Sequence, residues 1–339
     1  MSISKTLVLA LGTICLGASS AQEPTVVESS EGAIGLRQTI HLTAGWNSVC
    51  LEVDPFTEKA DVLFADTPIT TVATYFPLIS TVEFIQNPDD ALWKDESWGV
   101  WHTPDRPESF ANTLVRMQGH RPYLIFSESD HTLEIEGRVT THQIKWKSGA
   151  FTFTGLPVRP INPPTFAEFF ADSPEHQPFL IYHLVGDTWT RLNPDTEPIR
   201  SGTGYWIFTR RGTQYQGPLG LKIRQGETLD RKIDLTGLID QVDVQLSGAA
   251  SEAMALTLTD LRPGEVPLST KRRLLASATD EFTELATTTD LGTLAEGETK
   301  TLSILPRRSE LTVPSRSTIL QFDTESGVRF HLEATVSKQ

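Results

Sequence analysis

Cysteine is scarce in this chain of 339 residues, which holds only Cys15 and Cys50. A disulfide framework needs paired cysteines, and Cys15 falls in a segment that is interpreted below as a cleaved signal peptide. Cys50 is then left without an intrachain partner. It is expected to be a small buried apolar residue, with a reactive thiol as the alternative. Stability must therefore come from hydrophobic cores, and the chain is long enough for two or three.

Long apolar runs are also missing. The N-terminal apolar run covers 7–16, which is well short of the roughly 20 residues that a membrane span requires. Lys5 precedes this run, and the small residues Ser19 and Ala21 follow it at positions that suit signal peptidase. Residues 1–21 are therefore predicted to be a removed signal peptide, with a membrane anchor as the alternative. The protein is expected to be exported, either secreted or held at the cell surface, without membrane insertion.

Positive charge is in deficit. The chain has 29 Lys and Arg against 43 Asp and Glu, for a formal net charge of −14. Neutralising phosphate groups requires a basic face, so nonspecific binding to nucleic acid or to anionic lipid is not expected. An extracellular protein or a polysaccharide is the expected partner.

The strong catalytic and metal-binding motifs are absent as well. The sequence contains no HExxH, GxSxG, P-loop, CxxC or DxDxDG pattern. Ser127, Asp130 and His131 lie within five residues, whereas a catalytic triad needs groups that converge from separate elements, so this stretch is predicted to be a loop. We expect no enzyme, no catalytic residue, no metal and no cofactor. An exported hydrolase with an unrecognised site is the alternative.

Two stretches of the chain follow the same order of features. Each has a strand with a glycine at its turn, an apolar strand that ends in proline, a short amphipathic helix that ends in Ala-Asp, and a strand centred on tyrosine. In the second unit, Thr165 and Glu168 form the pattern of a capping box. Gly186-Asp187 marks one predicted hairpin, and Arg211-Gly212 marks a second, between "GYWIFTR" and "TQYQG". The order indicates one α+β module used twice. Each module is predicted to be a sheet of about four or five strands that carries one helix.

The residues that open and close these units carry a resemblance. "GWN" at 45–47 and "GYWI" at 204–207 resemble the GWN...YWI modules of secreted proteins from environmental Gram-negative bacteria. The resemblance covers 37–219 and implies an extracellular, noncatalytic role beside lectin-like or immunoglobulin-like domains. The chain departs from the pattern at "PYL", 122–124, and at "GAF", 149–151. The resemblance implies no binding residues.

The composition changes after about residue 220, where Trp and Tyr disappear and short alternating strands follow one another. This spacing predicts an antiparallel β-sandwich of immunoglobulin type. The expected fold is mainly β with minor α. The predicted organisation is a signal peptide at 1–21, a linker at 22–36, module 1 at 37–140 with a Trp-rich insertion at 87–107, module 2 at 141–219, and the sandwich at 220–339.

The Trp-rich insertion offers a candidate binding site. Trp93, Trp98 and Trp101 lie close to Asp95 and Glu96. Flat rings can bury the apolar faces of sugars while carboxylates accept hydrogen bonds from their hydroxyl groups, so these five residues are a candidate glycan-binding site. The acidic residues could also ligate calcium. The alternative is structural, with the rings packed along a strand.

These features favour a noncatalytic scaffold or adhesion protein at the cell surface or outside the cell. The alternative function is carbohydrate binding through the Trp-rich insertion. Exposure of the rings separates the two, because only exposed rings can stack on a sugar.

Overall fold

The computed structural model describes residues 23–76, 97–141, 143–225, 228–230, 232–274 and 279–338. The protein is mainly β with minor α, as the sequence predicts. Within the described residues the α-helices are single turns of four residues. The predicted signal peptide, 1–21, lies outside these residues.

The strands and helices fall into three successive parts. The first part contains β1 (Thr25–Glu28), β2 (Ile34–Leu42), β3 (Gly45–Leu51), β4 (Asp54–Pro55), α1 (Ala60–Leu63), β5 (Ile69–Tyr75), β6 (Trp98–His102), β7 (Arg121–Ser127) and β8 (His131–Arg138). The second contains β9 (Ala150–Thr154), α2 (Phe166–Phe169), β10 (Ile181–Val185), β11 (Thr188–Arg191) and β12 (Tyr205–Thr209). The third contains β13 (Leu219–Gln225), β14 (Thr228–Asp230), β15 (Ile233–Leu235), β16 (Val242–Gly248), β17 (Met254–Asp260), β18 (Leu268–Leu274), β19 (Thr279–Glu284), β20 (Thr288–Leu294), β21 (Thr299–Pro306), β22 (Ser315–Thr324) and β23 (Arg329–Ser337).

One sheet in each of the first two parts has the same connectivity. The order is β3-β7-β5-β6 in the first part and β9-β12-β10-β11 in the second. All neighbouring strands are antiparallel. In both, the helix lies between the first and second strands of the unit. The two sheets, called the repeat sheets below, therefore match strand for strand.

The tyrosine in the last strand of each repeat sheet plays the same local role. The hydroxyl of Tyr123 accepts a hydrogen bond from the backbone N–H of Gln118 at 2.8 Å. The hydroxyl of Tyr205 accepts one from the N–H of Arg200 at 3.0 Å. In both units the donor lies five residues before the tyrosine, and both rings are buried. The tyrosine thus ties the loop that enters the strand to the strand itself.

The local signals of the second unit are largely confirmed. Thr165 and Glu168 form the capping box of α2, and Val185 pairs with Thr188 across the two-residue turn of the β10–β11 hairpin. The second predicted hairpin is wrong, because residues 213–217 form no strand and β12 pairs with β9 and β10 instead. In the first unit, α1 begins after Lys59, which makes no side-chain cap.

The first part contains a second sheet that the sequence does not predict. Its order is β1-β2-β8-β4. β1 and the start of β2 fall in the segment 22–36, which was predicted to be a linker. β6 occupies the same sheet position as β11, so the described end of the insertion 87–107 has a structural counterpart in the second unit. The core of this part combines residues of both sheets, such as Ile40 and Val72.

Aromatic side chains join the two repeat sheets. Trp206 of β12 is fully buried and stacks on Phe153 of β9, with ring centroids 4.8 Å apart. Its edge also meets Tyr75 of β5, in the other repeat sheet, at 5.5 Å. Trp98 of β6 lies 6.5 Å from Phe153. Because these rings belong to one buried cluster, the two units share a core.

The third part is a sandwich of two sheets. Their orders are β14-β13-β16-β21-β18-β19 and β15-β23-β22-β17-β20. All pairs are antiparallel except β15 with β23. Residues from both sheets, such as Val244 and Leu332, belong to one hydrophobic cluster that also includes Phe166 and Phe169 of α2. The second repeat unit and the sandwich therefore share a continuous core.

The "GWN" stretch builds the turn from β2 into β3. Gly45 has φ of +98°, a conformation that side chains other than glycine rarely adopt. The carboxamide oxygen of Asn47 accepts a hydrogen bond from the N–H of Thr43 at 3.0 Å, and its NH₂ donates to the Thr43 carbonyl at 2.8 Å. Trp46, between these two residues, packs edge-on against Phe126, with the ring centroids 5.3 Å apart.

One buried histidine is expected to make the folded protein less stable in acid. His176 is 1% exposed, and burial lowers its pKa to about 4. The unfolded chain takes up this proton near pH 6.5 and the folded chain only near pH 4, so stability is lost as pH falls through that window. At pH 5 the loss from this residue is about 2 kcal/mol relative to neutral pH. Urea unfolding at pH 7 and pH 5 measures it. His176→Phe is expected to reduce the pH dependence by that amount, and an unchanged dependence would refute this explanation.

Candidate functional site

The structure places two of the five candidate glycan-binding residues in the core. Trp98 is 4% exposed and Trp101 is 2% exposed. Trp93, Asp95 and Glu96 lie outside the described residues. Neither buried ring offers a free face on which a sugar could stack.

Both faces of β6 are covered, which explains this burial. Trp98 belongs to the aromatic cluster between the repeat sheets, whereas Trp101 belongs to the core of the first part. The indole N–H of Trp101 donates to the carboxylate of Asp61 on α1 at 2.6 Å, and its ring lies 5.2 Å from Phe64. The described part of the insertion therefore fits the structural alternative.

Ser127, Asp130 and His131 do not form a triad. The Ser127 hydroxyl donates to the backbone carbonyl of Ser129 at 2.6 Å and is buried. The carboxylate of Asp130 accepts a hydrogen bond from the N–H of Ala44 at 2.9 Å. These contacts fix the turn between β7 and β8, as the prediction of a loop requires.

Cys50 is a buried free thiol, as the sequence predicts. Its exposure is 6%, and burial raises its pKa to about 12. At neutral pH the thiol stays protonated, and the thiolate is the nucleophile. Its side chain instead faces Gly155, where a β-carbon would lie 2.5 Å from the sulfur. Cys50 therefore helps to pack the first unit against the second.

Among the described residues, a large cleft opens where the three parts of the chain meet. Its volume is about 1340 Å³. We call it the junction cleft. It is lined by 36–41 and 46–53 of the first part, by 155–158, 183–186, 190–193 and 197–203 of the second part, and by 329–331 of the sandwich. Sites for single small molecules typically measure about 300–1,000 Å³, so this cleft has room for a larger ligand.

Glu52 fastens the first part to the second beside this cleft. Its carboxylate accepts hydrogen bonds from the Ser201 hydroxyl and from the Gly202 N–H, both at 2.7 Å. Burial raises the pKa of Glu52, and these two hydrogen bonds oppose the shift. The backbone supports the same junction, because the Cys50 N–H donates to the Gly202 carbonyl at 2.8 Å.

Arg329 fastens the sandwich to the segment just before β1. Its guanidinium is almost fully buried. It contacts the carboxylate of Asp323 at 2.7 Å and pairs with Glu23. His331, on the same strand, lies 3.0 Å from the side-chain oxygen of Gln321, and burial lowers its pKa to about 3. These groups form a hydrogen-bonded wall of the cleft.

The wall formed by the second repeat unit is more exposed. Arg191 and Arg200 are both solvent-exposed, and neither makes an ion pair within the described part of the chain. His183 lies behind them against the ring of Tyr205, 5.4 Å away. Burial, and then the charge of Arg200, lower the pKa of His183 to about 4. This wall therefore presents guanidinium groups, with the imidazole uncharged at neutral pH.

The charges along the cleft are balanced although the chain is acidic. The lining contains Glu23, Glu52, Glu134, Glu197, Arg37, Arg191, Arg200 and Arg329. Of the four arginines, Arg37 and Arg329 are paired with carboxylates on their own side of the cleft. The remaining two outnumber Glu197, the one carboxylate of the second-unit lining, and give this wall a net positive charge.

The described residues contain no grouping of three or more side chains suited to hold a metal ion. A smaller pocket of about 360 Å³ is lined by His41, Asp130 and His131. His41 pairs with Thr132 and Leu42 with His131 across β2 and β8. Neighbouring positions on a strand point to opposite faces, so the two imidazoles diverge.

No helix in the described part of the chain is long and apolar enough to cross a membrane.

No family model and no curated protein matches this chain. Among solved structures, it is similar to a DUF4785 family protein from Legionella pneumophila. The identity is 9%, the similarity covers 90% of this chain and 89% of that chain, and the TM-score is 0.20. At these values the similarity carries no argument about fold or function.

Proposed function

We propose that the protein is an exported, non-catalytic binding protein of the scaffold or adhesion type, and that its ligand site is the junction cleft. The observation that carries this proposal is the shared cleft of about 1340 Å³ with walls from all three parts of the chain. Hydrogen bonds from Ser201 and Gly202 to Glu52 hold two of those walls in a fixed relation. A fixed, partly polar cleft of this size suits a segment of a polymer.

Three ionisable groups of the cleft are unsuited to proton transfer at neutral pH, and a fourth, Glu52, is bound by Ser201 and Gly202 at the junction of two walls. General acids and bases work best when their pKa lies near the working pH. The pKa is about 12 at Cys50, about 4 at His183 and about 3 at His331. At neutral pH these three groups are uncharged and well outside the useful range.

Trp98 and Trp101 are not part of the proposed site, because their rings are buried. An extracellular polypeptide and a polysaccharide are the two ligand classes to compare. Both are extended polymers that can lie along a cleft formed by several elements.

The test is a substitution that fills the cleft. Thr190 of β11 is exposed and lines the cleft, whereas Thr188 of the same strand is exposed and does not belong to the lining. Thr190→Trp is expected to weaken binding of a peptide or polysaccharide ligand by about tenfold, or 1.4 kcal/mol. Thr188→Trp is the matched control and is expected to leave the dissociation constant unchanged. Binding is measured by calorimetry against panels of both classes.

Two results would refute the proposal. The first is that no member of either panel binds the wild-type protein. The second is that a ligand binds Thr190→Trp and Thr188→Trp equally well, which would place its site elsewhere.

A further inference from the structure

On one of its two edges, β2 is paired with another strand, β1, along only part of its length. β1 pairs with Ile34–Arg37 and begins at Thr25, opposite Arg37. On the other edge, β8 pairs with β2 as far as Leu42. In the described part of the chain, no strand continues from β1 along 38–42. Five residues of β2, about 17 Å of strand, therefore have one open edge.

The chain turns away from this edge before β1 begins. Glu23 pairs with Arg329 of the sandwich. Among the described residues, the backbone groups of 38–42 make no hydrogen bonds other than those to β8. The side chain of Gln38 points into the buried face of the sheet. There its NH₂ group donates to the carbonyl of Cys50 and its oxygen accepts from the N–H of Glu52, both at 2.9 Å.

The junction cleft runs along this open edge. Gln38 and Ile40 lie on the buried face of the sheet, and Thr39 and His41 lie on the opposite face. All four line the cleft. Successive residues of a strand point to opposite faces, so the cleft reaches both faces of β2 beside the stretch that has no neighbouring strand on this edge. The backbone N–H and C=O groups of every second residue in 38–42, which point away from β8, are therefore available to a ligand at this edge.

The chemistry of this edge selects one class of ligand. Alternating backbone donors and acceptors match those of another extended peptide, and strand addition is an established mode of peptide recognition. Stacking on a sugar would need exposed aromatic faces, but Trp46 and Tyr205 in the lining are 8% and 1% exposed, and Phe330 is partly buried against the hydrophobic core. On the second-unit wall, Arg191 and Arg200 make no ion pair within the described residues, and their charges complement acidic side chains.

We propose that the junction cleft binds an extended peptide that adds as a strand to the open edge of β2 at 38–42, with acidic side chains facing Arg191 and Arg200. This inference rests on the proposed binding function of the cleft. It continues a pairing that already exists, because β1 occupies the same edge at Ile34–Arg37.

The probe is a 12-residue peptide selected on the purified protein from a displayed random library and then resynthesised. Two further copies carry N-methyl groups on the even-numbered or on the odd-numbered backbone amides. A strand added to one edge uses every second amide, so one methylated copy is expected to lose binding by at least about tenfold while the other binds normally. Hydrogen exchange at 38–42 is expected to slow by at least about tenfold when the unmodified peptide binds.

Arg200→Ala tests the charged wall. This residue is exposed, so the variant is expected to fold. It should weaken binding of the selected peptide by about 3- to 10-fold. Arg211→Ala is the matched control, since Arg211 is exposed and lies outside the cleft lining. It should leave binding unchanged.

The outcomes separate the two proposals. A peptide that binds without slowing exchange at 38–42, or that tolerates both methylation patterns, would refute strand addition. A polysaccharide that binds and is blocked by Thr190→Trp, with no peptide selected, would also refute strand addition but keep the cleft as a ligand site. Absence of binding by both classes would overturn both proposals.

Discussion

Replacing Trp206 with alanine is expected to destabilise the protein by about 4 kcal/mol, because large-to-small changes of a buried aromatic lose both burial and packing. The ring is fully buried between the repeat sheets. It stacks on Phe153 and meets Tyr75 and Trp189 at 5.5 and 6.4 Å. Because these rings come from both units, the loss should lower the stability of the two units together. Urea unfolding followed by circular dichroism measures the change.

Two variants control for this effect. Phe110 is 91% exposed, so Phe110→Ala is expected to change stability by no more than about 0.5 kcal/mol. Trp206→Phe keeps an aromatic ring and should cost less than Trp206→Ala. A loss below about 1 kcal/mol for Trp206→Ala would contradict a shared aromatic core between the units.

Replacing Arg329 with leucine is expected to cost about 3 kcal/mol, because removing one partner of a buried ion pair leaves the other charge without compensation. The Arg329 side chain is 8% exposed and that of Asp323 is 14% exposed. Two guanidinium nitrogens bind the two carboxylate oxygens of Asp323 at 2.7 and 3.3 Å. The pair with Glu23, which lies beside the cleft, is lost as well. The free energy of unfolding at pH 7 is the measurement.

Arg316 provides the comparison on the neighbouring strand β22. Its ion pair with Glu265 measures 3.7 Å, and both side chains are more than a third exposed. Arg316→Ala is therefore expected to cost less than about 1 kcal/mol. The double variant Arg329→Leu with Asp323→Leu should recover part of the loss, since it removes the uncompensated carboxylate. Equal costs for Arg329→Leu and Arg316→Ala would show that burial does not strengthen this pair.

Local signals were sufficient to predict much of the second repeat unit. The capping box at Thr165 and Glu168 and the tight turn at Gly186-Asp187 each depend on a few neighbouring residues. Such signals survive in any tertiary context that keeps the backbone conformation. The repeated order of elements predicted two similar sheets, and the matched strand order agrees with it.

The second sheet of the first part could not be predicted from local sequence signals. β4 is only two residues long, and β1 is four residues long. Neither is long enough to show a hydrophobic period, so the segment 22–36 resembled a linker. The burial of Trp98 and Trp101 on opposite faces of β6 likewise depends on two different neighbouring layers. A sequence pattern shows which residues alternate but not which faces are covered.

The junction cleft could not be found from the sequence because its walls come from distant stretches. Glu52 is bound by Ser201, 149 residues away, and Arg329 pairs with Glu23 across 306 residues. No motif connects such positions. The open edge of β2 was equally hidden, since it depends on where β1 ends and on where the chain turns toward the sandwich.

We propose above that the junction cleft is the ligand site. The most direct test measures the dissociation constant of one peptide or polysaccharide for the wild-type protein, for Thr190→Trp and for Thr188→Trp. Thr190 lines the cleft and Thr188 does not. We predict about a tenfold rise in the dissociation constant for Thr190→Trp and no change for Thr188→Trp. Equal dissociation constants for all three proteins would contradict the claim.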